Sequence, residues 1–526
     1  MRWVLALGLL AGSLGAQDSQ PAAAARCDPG LRDAREPVPV FVRMADQVFA
    51  RGGEFERFCS EHATTKRSTL RARTLADLKA RSARSWEQVR AVVTQQEQQQ
   101  ALSGVQRYWL VNGFAADATG TAVQALLQRP EVAYVHRQTQ PGRAQHKTAK
   151  RSESWLSERR QDQATALALR AAAASQPTAT SAPSVPWNLV KIRADRAWEQ
   201  GAQGQGVVIA LLDSGVLPIP PLVRALWRNP REEANGRDDD GNGCVDDLFG
   251  WDFDGDTPFV VGDGPNSHGT MCGGILAGRA FGAPSTQTGV APRAELMVLR
   301  GVGCLAAYEY AAQMGADVLS MSYMWIAVEL GSYRGVFRTA HEHLAACGIV
   351  AVGGAGNFGS TAPEGAQIAL PKDIPCVIAA AGIGRDGRAP AFSSRGPCTW
   401  NDVPFFSDYP PGAPLEKPDV TGVCSGMPVW HWTRMRGDRP VQVQWEDGHG
   451  TGLIVGPQGN SFAGPHAGGV AALVLGVNPE LTPWRVKAIL EQTCLDLGDK
   501  GRDRVYGAGL LQADGAVRAA RAAKVE

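Results

Sequence analysis

Three polar residues, Asp213, His268 and Ser461, have the types needed for nucleophilic acyl transfer. A serine hydroxyl is a weak nucleophile at neutral pH. It becomes useful when an imidazole takes its proton and a carboxylate orients that imidazole. Ser461 lies in GNSFAGPHAGGVAALVLGV (459–477), just ahead of a small-residue apolar helix. Its hydroxyl would sit at a helix N-terminus, where unpaired N–H groups help to hold an oxyanion. His268 lies in SHGTMCGG and Asp213 in VVIALLDSGV, which supply the base and its orienting acid.

The elements that must position these groups are legible around them. Asp213 closes the apolar run 207–212, which reads as a buried strand with a carboxylate at its C-terminal tip. Open α/β sheets build their sites at such tips. The three motifs, in the chain order Asp, His, Ser, resemble the subtilisin-like serine proteases over roughly residues 187–517. WNLVKIRADRAW, IPCVIAAAGI, PAFSSRGP, KPDV and YGAGLLQADGAV add to the resemblance.

This resemblance implies an α/β fold, the subtilisin-like three layers with a mainly parallel sheet and helices on both faces. It also implies a serine endopeptidase acting on proteins or peptides. VAVGGAGNFGS then places Asn357 as the oxyanion-hole amide. Ser322, Tyr323 and Met324 would form one wall of the substrate cleft, and Gly353, Gly354, Ala355 and Gly356 the other. The chain departs from the usual Ser-Leu-Gly-Gly here, with Tyr323, Met324 and Trp325 after Ser322. Bulk at a glycine position, with a short connection at 300–306, predicts a narrowed pocket and narrower specificity. Cys272 is similar to the buried cysteine of proteinase K-like members, and His466 takes the family's structural place after the nucleophile.

A chain of 526 residues with 44% apolar and 20% charged residues is expected to be globular and to hold more than one domain. A net charge of +1 offers no footprint for nucleic acid. Residues 1–16 read as a signal peptide, too short in apolar length for a membrane anchor. A secreted or periplasmic monomer is expected. Residues 17–36 read as a disordered tail. Residues 37–137 follow a strand, helix, strand, helix, strand pattern with VPVFVRM first, a helix near 75–102, RYWLVNGFAADA as one strand and VAYVHR last. Close to a split βαβ arrangement, this unit resembles the family's α+β ferredoxin-like propeptide, an intramolecular inhibitor made with a zymogen. Residues 138–184 read as a linker in which 157–174 could be an isolated helix, with maturation inside it or close to Val185. The catalytic domain takes 185–526.

The insertion NGRDDDGNGCVDDLFGWDF carries a partial calcium-loop pattern. Asp238, Asp240 and Asn242 fall at loop positions 1, 3 and 5, Cys244 offers its carbonyl at 7, Asp246 falls at 9, and Asp247 stands in for the absent Glu at 12. Ca2+ in a structural role is expected, and the loop also resembles that of bacillopeptidase F-like subtilases. Ten cysteines in an exported chain predict disulfides, with Cys347 and Cys376 the one pairing singled out. The stretch 420–459, with Trp430, Trp432 and Trp445, is expected to form an extended hairpin beside the site. His341 and His343, two apart on a helix, share no face and are expected at the surface. Other hydrolase classes fit poorly. An aspartic protease needs a second D-S-G, and G-N-S-F-A is not the G-x-S-x-G of α/β-hydrolases. The remaining alternative is a catalytically silent subtilase-like binding module.

Overall fold

The computed structural model describes residues 26–139, 153–174, 183–261, 268–281, 285–326, 328–401, 403–430, 433–436, 439–442, 453–455 and 457–525. The expected signal peptide lies outside them. The N-terminal unit runs β1 (Val38–Met44), α1 (Glu54–Glu61), α2 (Arg67–Gln98), β2 (Leu102–Tyr108), β3 (Gly113–Ala118), α3 (Gly120–Leu127) and β4 (Val132–Arg137). The antiparallel sheet has the order β2-β3-β1-β4. Helix α2 buries Leu70, Thr74, Leu78, Ser82, Ser85, Val89 and Val93, a three-to-four-residue spacing that lays one face on neighbouring elements.

Three expectations for this unit are corrected. RYWLVNGFAADA is a hairpin rather than one strand, because Asn112 takes a left-handed φ of 36° and turns the chain between β2 and β3. Asparagine tolerates that conformation better than most residues. Helix α2 starts eight residues before position 75, and α1 was not anticipated. The tail expected at 17–36 is ordered from Arg26: Cys27 bridges Val135, and Leu31 is fully buried.

The second unit comprises α4 (Glu153–Ala174), α5 (Trp187–Lys191), α6 (Ala194–Glu199), β5 (Val208–Leu212), α7 (Pro220–Val223), β6 (Gly250–Asp252), α8 (His268–Ala277), β7 (Glu295–Arg300), α9 (Leu305–Gln313) and β8 (Val318–Met321). It continues with α10 (Arg334–Ala346), β9 (Val350–Gly354), β10 (Ile378–Ile383), β11 (Val420–Val423), β12 (Pro428–Trp430), β13 (Thr433–Arg436), β14 (Arg439–Gln442), β15 (Leu453–Val455), α11 (Asn460–Val477), α12 (Pro483–Gln492) and α13 (Ala513–Ala522). Seven strands form one parallel sheet in the order β11-β10-β9-β8-β5-β7-β6. Strand β5 is flanked by β7 and β8, so the chain reverses its direction of travel across the sheet there. Such a switch point opens a crevice at the strand tips.

Both faces of the sheet are covered, which explains the unbroken apolar strands. Ile209 and Leu211 of β5 face the layer holding α8 and α11, whereas Ala210 and Leu212 face α9 and α10. The second layer runs without a break into the N-terminal unit, where Phe41, Leu78, Tyr108 and Leu110 join Tyr333 and Phe337. His343 is therefore fully buried beneath the N-terminal unit, and His341 is fully buried against Tyr308 within the second unit, so neither is at the surface. The Nδ1 of His341 donates to the Phe337 carbonyl at 2.8 Å, and the Nε2 of His343 accepts from Phe49 N–H at 3.3 Å. Helix periodicity alone does not foresee the N-terminal unit docking over α10.

Helix α4 is not isolated either. Ala166 is fully buried in the core, and Arg170 donates to the Leu226 carbonyl beside α7. The β12–β15 pair forms the stem of the expected hairpin, tied down by Trp430, whose indole donates to Thr288 Oγ1 at 2.6 Å. Trp432 and Trp445 lie outside the described residues. All ten cysteines are free thiols, which corrects the Cys347–Cys376 pairing. The β9–β10 register pairs Val352 with Ile378, so position 376 lies level with 350, three residues from Cys347.

Candidate active site

Strand β5 delivers Asp213 at its tip, 6% exposed, and α8 opens on His268 directly opposite. The close approach rests on Gly269: a methyl group added there would lie 2.1 Å from the Gly215 carbonyl oxygen. His268 Nδ1 donates to Asp213 Oδ1 at 2.8 Å, and that oxygen also accepts from Ser214 N–H at 2.8 Å. The carboxylate thus fixes the tautomer and leaves Nε2 on the outer side of the ring.

The imidazole is raised in basicity by Cys272 and by the Asp213 hydrogen bond, against the cost of burial. Burial pushes the Cys272 thiol upward, so the sulfur stays protonated at neutral pH. Asp213 then carries the effect. Cys272 Sγ lies 3.9 Å from His268 Nδ1 and 3.5 Å from the Ser461 carbonyl oxygen, which is packing under the site.

Ser461 is the second residue of α11, whose small residues let it press on β9. A methyl group on Gly464 would lie 2.5 Å from Gly354 N, and one on Gly354 would lie 2.0 Å from the Asn460 carbonyl oxygen. The Ser461 hydroxyl donates to the Ser322 carbonyl at 3.3 Å, and the Ser322 hydroxyl donates to the Ser461 carbonyl at 2.8 Å. The nucleophile must turn from Ser322 before His268 takes its proton, a tightening common to unliganded sites. Asn357, beyond β9, accepts the Asn460 N–H on Oδ1 at 2.7 Å, and its Nδ2 comes within 3.3 Å of a methyl position on Gly459. His466 is buried, with Nδ1 on the Phe462 carbonyl at 2.8 Å and Nε2 on Asn188 at 3.0 Å, and burial lowers its pKa to about 4.

The convergence of an Asp-bound imidazole, a helix-terminal serine and an amide agrees with sequence comparison. A match to the Subtilase family spans residues 204–509. The chain belongs to the subtilase family. It is 27% identical to subtilisin DY of Bacillus licheniformis over 350 residues, covering 64% of this chain and 100% of that protein. It is also 27% identical to the serine protease AprX of Bacillus subtilis over 351 residues, covering 60% of this chain and 67% of the relative. The calcium-dependent protease of Trichormus variabilis is 27% identical over 368 residues, and the chain spans about half of that relative, 63% of this chain against 49% of the other.

In this subtilase the two segments expected to wall the cleft lie beside the nucleophile helix: the Ser322 hydroxyl meets the Ser461 carbonyl, and a methyl group on Gly354 would lie 3.0 Å from Ser461 N. Ser322, Tyr323 and Met324 follow β8, and Gly353, Gly354, Ala355 and Gly356 end or follow β9. The bulky substitutions divide their effects. Tyr323 turns its hydroxyl to Tyr308 at 2.6 Å, and Trp325 packs edge-on to Phe337 with ring centroids 4.7 Å apart. Both leave the cleft. Of these substituted residues Met324 reaches the opposite segment: its Sδ accepts from Ala369 N–H at 3.4 Å and lies 3.0 Å from a methyl position on Gly356. The expected narrowing therefore falls on one flexible side chain.

The acidic insertion is organised differently from the spacing. Ligand oxygens of Glu232, Asp238 and Asp240 lie within 4.8 Å of one another. Glu232 is 2% exposed; its Oε1 accepts Asp239 N–H at 2.7 Å, whereas its buried Oε2 meets no partner among the described residues. An orphaned buried carboxylate oxygen facing two further carboxylates fits a hard cation. Glu232 was missed because it lies outside the twelve-residue spacing.

Other expected ligands are committed elsewhere. Asp246 accepts Asn235 N–H and Gly236 N–H, each at 2.9 Å, and Asp247 is held by Tyr310 at 2.6 Å and by Asn242 Nδ2 at 2.8 Å. Asn242 Oδ1 accepts Cys244 N–H at 2.7 Å. Asp213, His268 and Cys272 also approach within 4.8 Å, but their contacts with one another already use those atoms.

Proposed function

We propose that this subtilase is an exported serine endopeptidase made as a zymogen, with Ser461, His268, Asp213 and Asn357 in the chemical roles. In this reading Ser461 attacks the peptide carbonyl while His268 Nε2 takes its proton. Asp213 keeps the proton on Nδ1 and stabilises the imidazolium. Asn357 Nδ2 and the Ser461 backbone N–H receive the oxyanion. His268 then gives its proton to the leaving amine, and water repeats the sequence to free the acyl group. The observation that carries the proposal is the 2.8 Å contact of His268 with Asp213 on the same side of the sheet as Ser461.

The unit 37–137 is read as the inhibitory propeptide, because it covers α9 and α10 with a continuous apolar layer and Leu110 N–H donates to Glu309 at 2.7 Å. Glu232, Asp238 and Asp240 would hold structural Ca2+. One relative's name, calcium-dependent protease, supports that assignment.

The rival, a silent binding module, has in its favour only the Met324 side chain lying across the cleft. Fluorophosphonate labelling decides between them. Labelling lost in Ser461→Ala, together with arrest of propeptide removal, is expected of a protease; absence of labelling in the processed wild type sinks the enzyme.

A further inference from the structure

A lysine lies under the substrate cleft, outside the four chemical groups. Lys372 is fully buried, and its ammonium donates to the Tyr323 carbonyl in one wall. The same chain passes beneath the other wall, where a methyl group on Gly353 would lie 2.4 Å from Lys372 Cε and 3.1 Å from Nζ. The amine thus spans the floor between the segment after β8 and the end of β9. Met324 reaches from the first of these walls to Gly356 of the other.

The charge is poorly matched in this place. An ammonium carries three donors, and Tyr323 O is the single hydrogen-bond acceptor it meets among the described residues. No carboxylate pairs with it there among the described residues. Asp373 is held by Arg334 at 2.8 Å, and Asp213 serves His268. The Tyr323 ring lies 4.7 Å from Nζ. The groups facing Lys372 are Asp373 and Asp213, which favour its charge, with His341 of α10 nearby. Burial outweighs both carboxylates and lowers the amine to about 7. A buried cation with unused donors is costly unless a partner arrives.

We propose that Lys372 is a specificity-determining residue that selects substrates with an acidic side chain, above all glutamate, immediately before the scissile bond. This rests on the peptidase reading of Ser461. A glutamate side chain entering between the walls would bring a carboxylate to the floor and supply both the missing acceptor and the opposite charge. A phenylalanine would leave the ammonium buried and unpaired against its ring edge. Entry requires the Met324 thioether to swing aside, which its unbranched chain permits.

The test uses full-length protein allowed to process itself, with peptides identical except for Glu, Gln, Asp, Phe or Ala at the residue before the cleaved bond. A kcat/KM for Glu at least about tenfold above isosteric Gln is expected, from the worth of one charge-assisted hydrogen bond. The Glu-to-Gln ratio should fall between pH 6.5 and 9 as the amine loses its proton, and Lys372→Met should bring it to about one or below. If that variant does not fold, the wild-type ratio and its pH dependence decide alone. Cleavage that favours Phe or treats Glu and Gln alike, in protein labelled at Ser461, overturns the inference and leaves the peptidase reading intact. No labelling and no cleavage removes the peptidase reading and this one with it.

Discussion

The carboxamide oxygen of Asn357 is held by the backbone N–H of Asn460, the residue before the nucleophile, at 2.7 Å. That bond fixes which end of the amide faces the cleft. Asn357→Leu removes the donor but keeps the volume. We expect kcat to fall about 10²- to 10³-fold with KM little changed, the usual loss for one oxyanion donor. Steady-state kinetics on one peptide would check it; a rise in KM alone would assign Asn357 to ground-state binding.

Asp213→Asn tests the orientation of the base. An amide cannot hold the proton on His268 Nδ1 in the same way, and kcat should fall about 10⁴-fold. The pH profile moves as well. Asp213 raises the His268 pKa, and the base must be neutral, so wild-type activity should rise with pH through that pKa. The acid limb of the variant should lie at lower pH. For stability the sign is opposite: the ion pair contributes fully below the ordinary histidine pKa and is lost as pH rises through the raised value.

Met324→Gly empties the cleft of its only crossing side chain among the described residues. Cleavage of denatured casein should become broader, and kcat/KM for peptides with large apolar residues before the cleaved bond should rise about tenfold or more. An unchanged product pattern would mean that Met324 already lies outside the path of the substrate.

The calcium assignment predicts a lower Tm on adding a chelator. Saturation at about a hundredfold over Kd stabilises by about 2.7 kcal/mol, a shift of a few degrees in a chain of this size. Glu232→Gln should lose most of the difference between chelated and calcium-loaded protein. Equal melting with and without chelator would remove the cation from the acidic insertion.

His343 predicts how the covering unit responds to acid. Its ring is locked between the Leu110 carbonyl and Phe49 N–H, and burial lowers its pKa to about 4. A lowered pKa means that the contact contributes fully above the ordinary value near 6.5 and is lost as pH falls towards 4. The cost of charging is on the order of 3 kcal/mol. The processed 37–137 unit should therefore dissociate faster at pH 5 than at pH 7, and His343→Gln should flatten that difference. Off-rates measured at both pH values would check it.

The sequence by itself determined the local devices. Apolar runs ending in Asp213 and preceding Asn357, and a helix of small residues behind Ser461, dictate strand tips and a close-packed helix whatever the rest of the chain does. The order of the motifs carried the family, and the acidic run raised the expectation of a cation loop. Only the tertiary structure decided which of those acids converge. Glu232 enters the cluster and Asp246 leaves it because backbone N–H groups at Asn235 and Gly236 claim the latter. It also decided that Trp325 leaves the cleft while Met324 stays, that His343 is covered by the N-terminal unit, and that Lys372 reaches under the cleft from a distant turn. The reason is common to all four: propensity and periodicity act between neighbours in the chain, whereas each of these outcomes is set by what another segment brings to the same space.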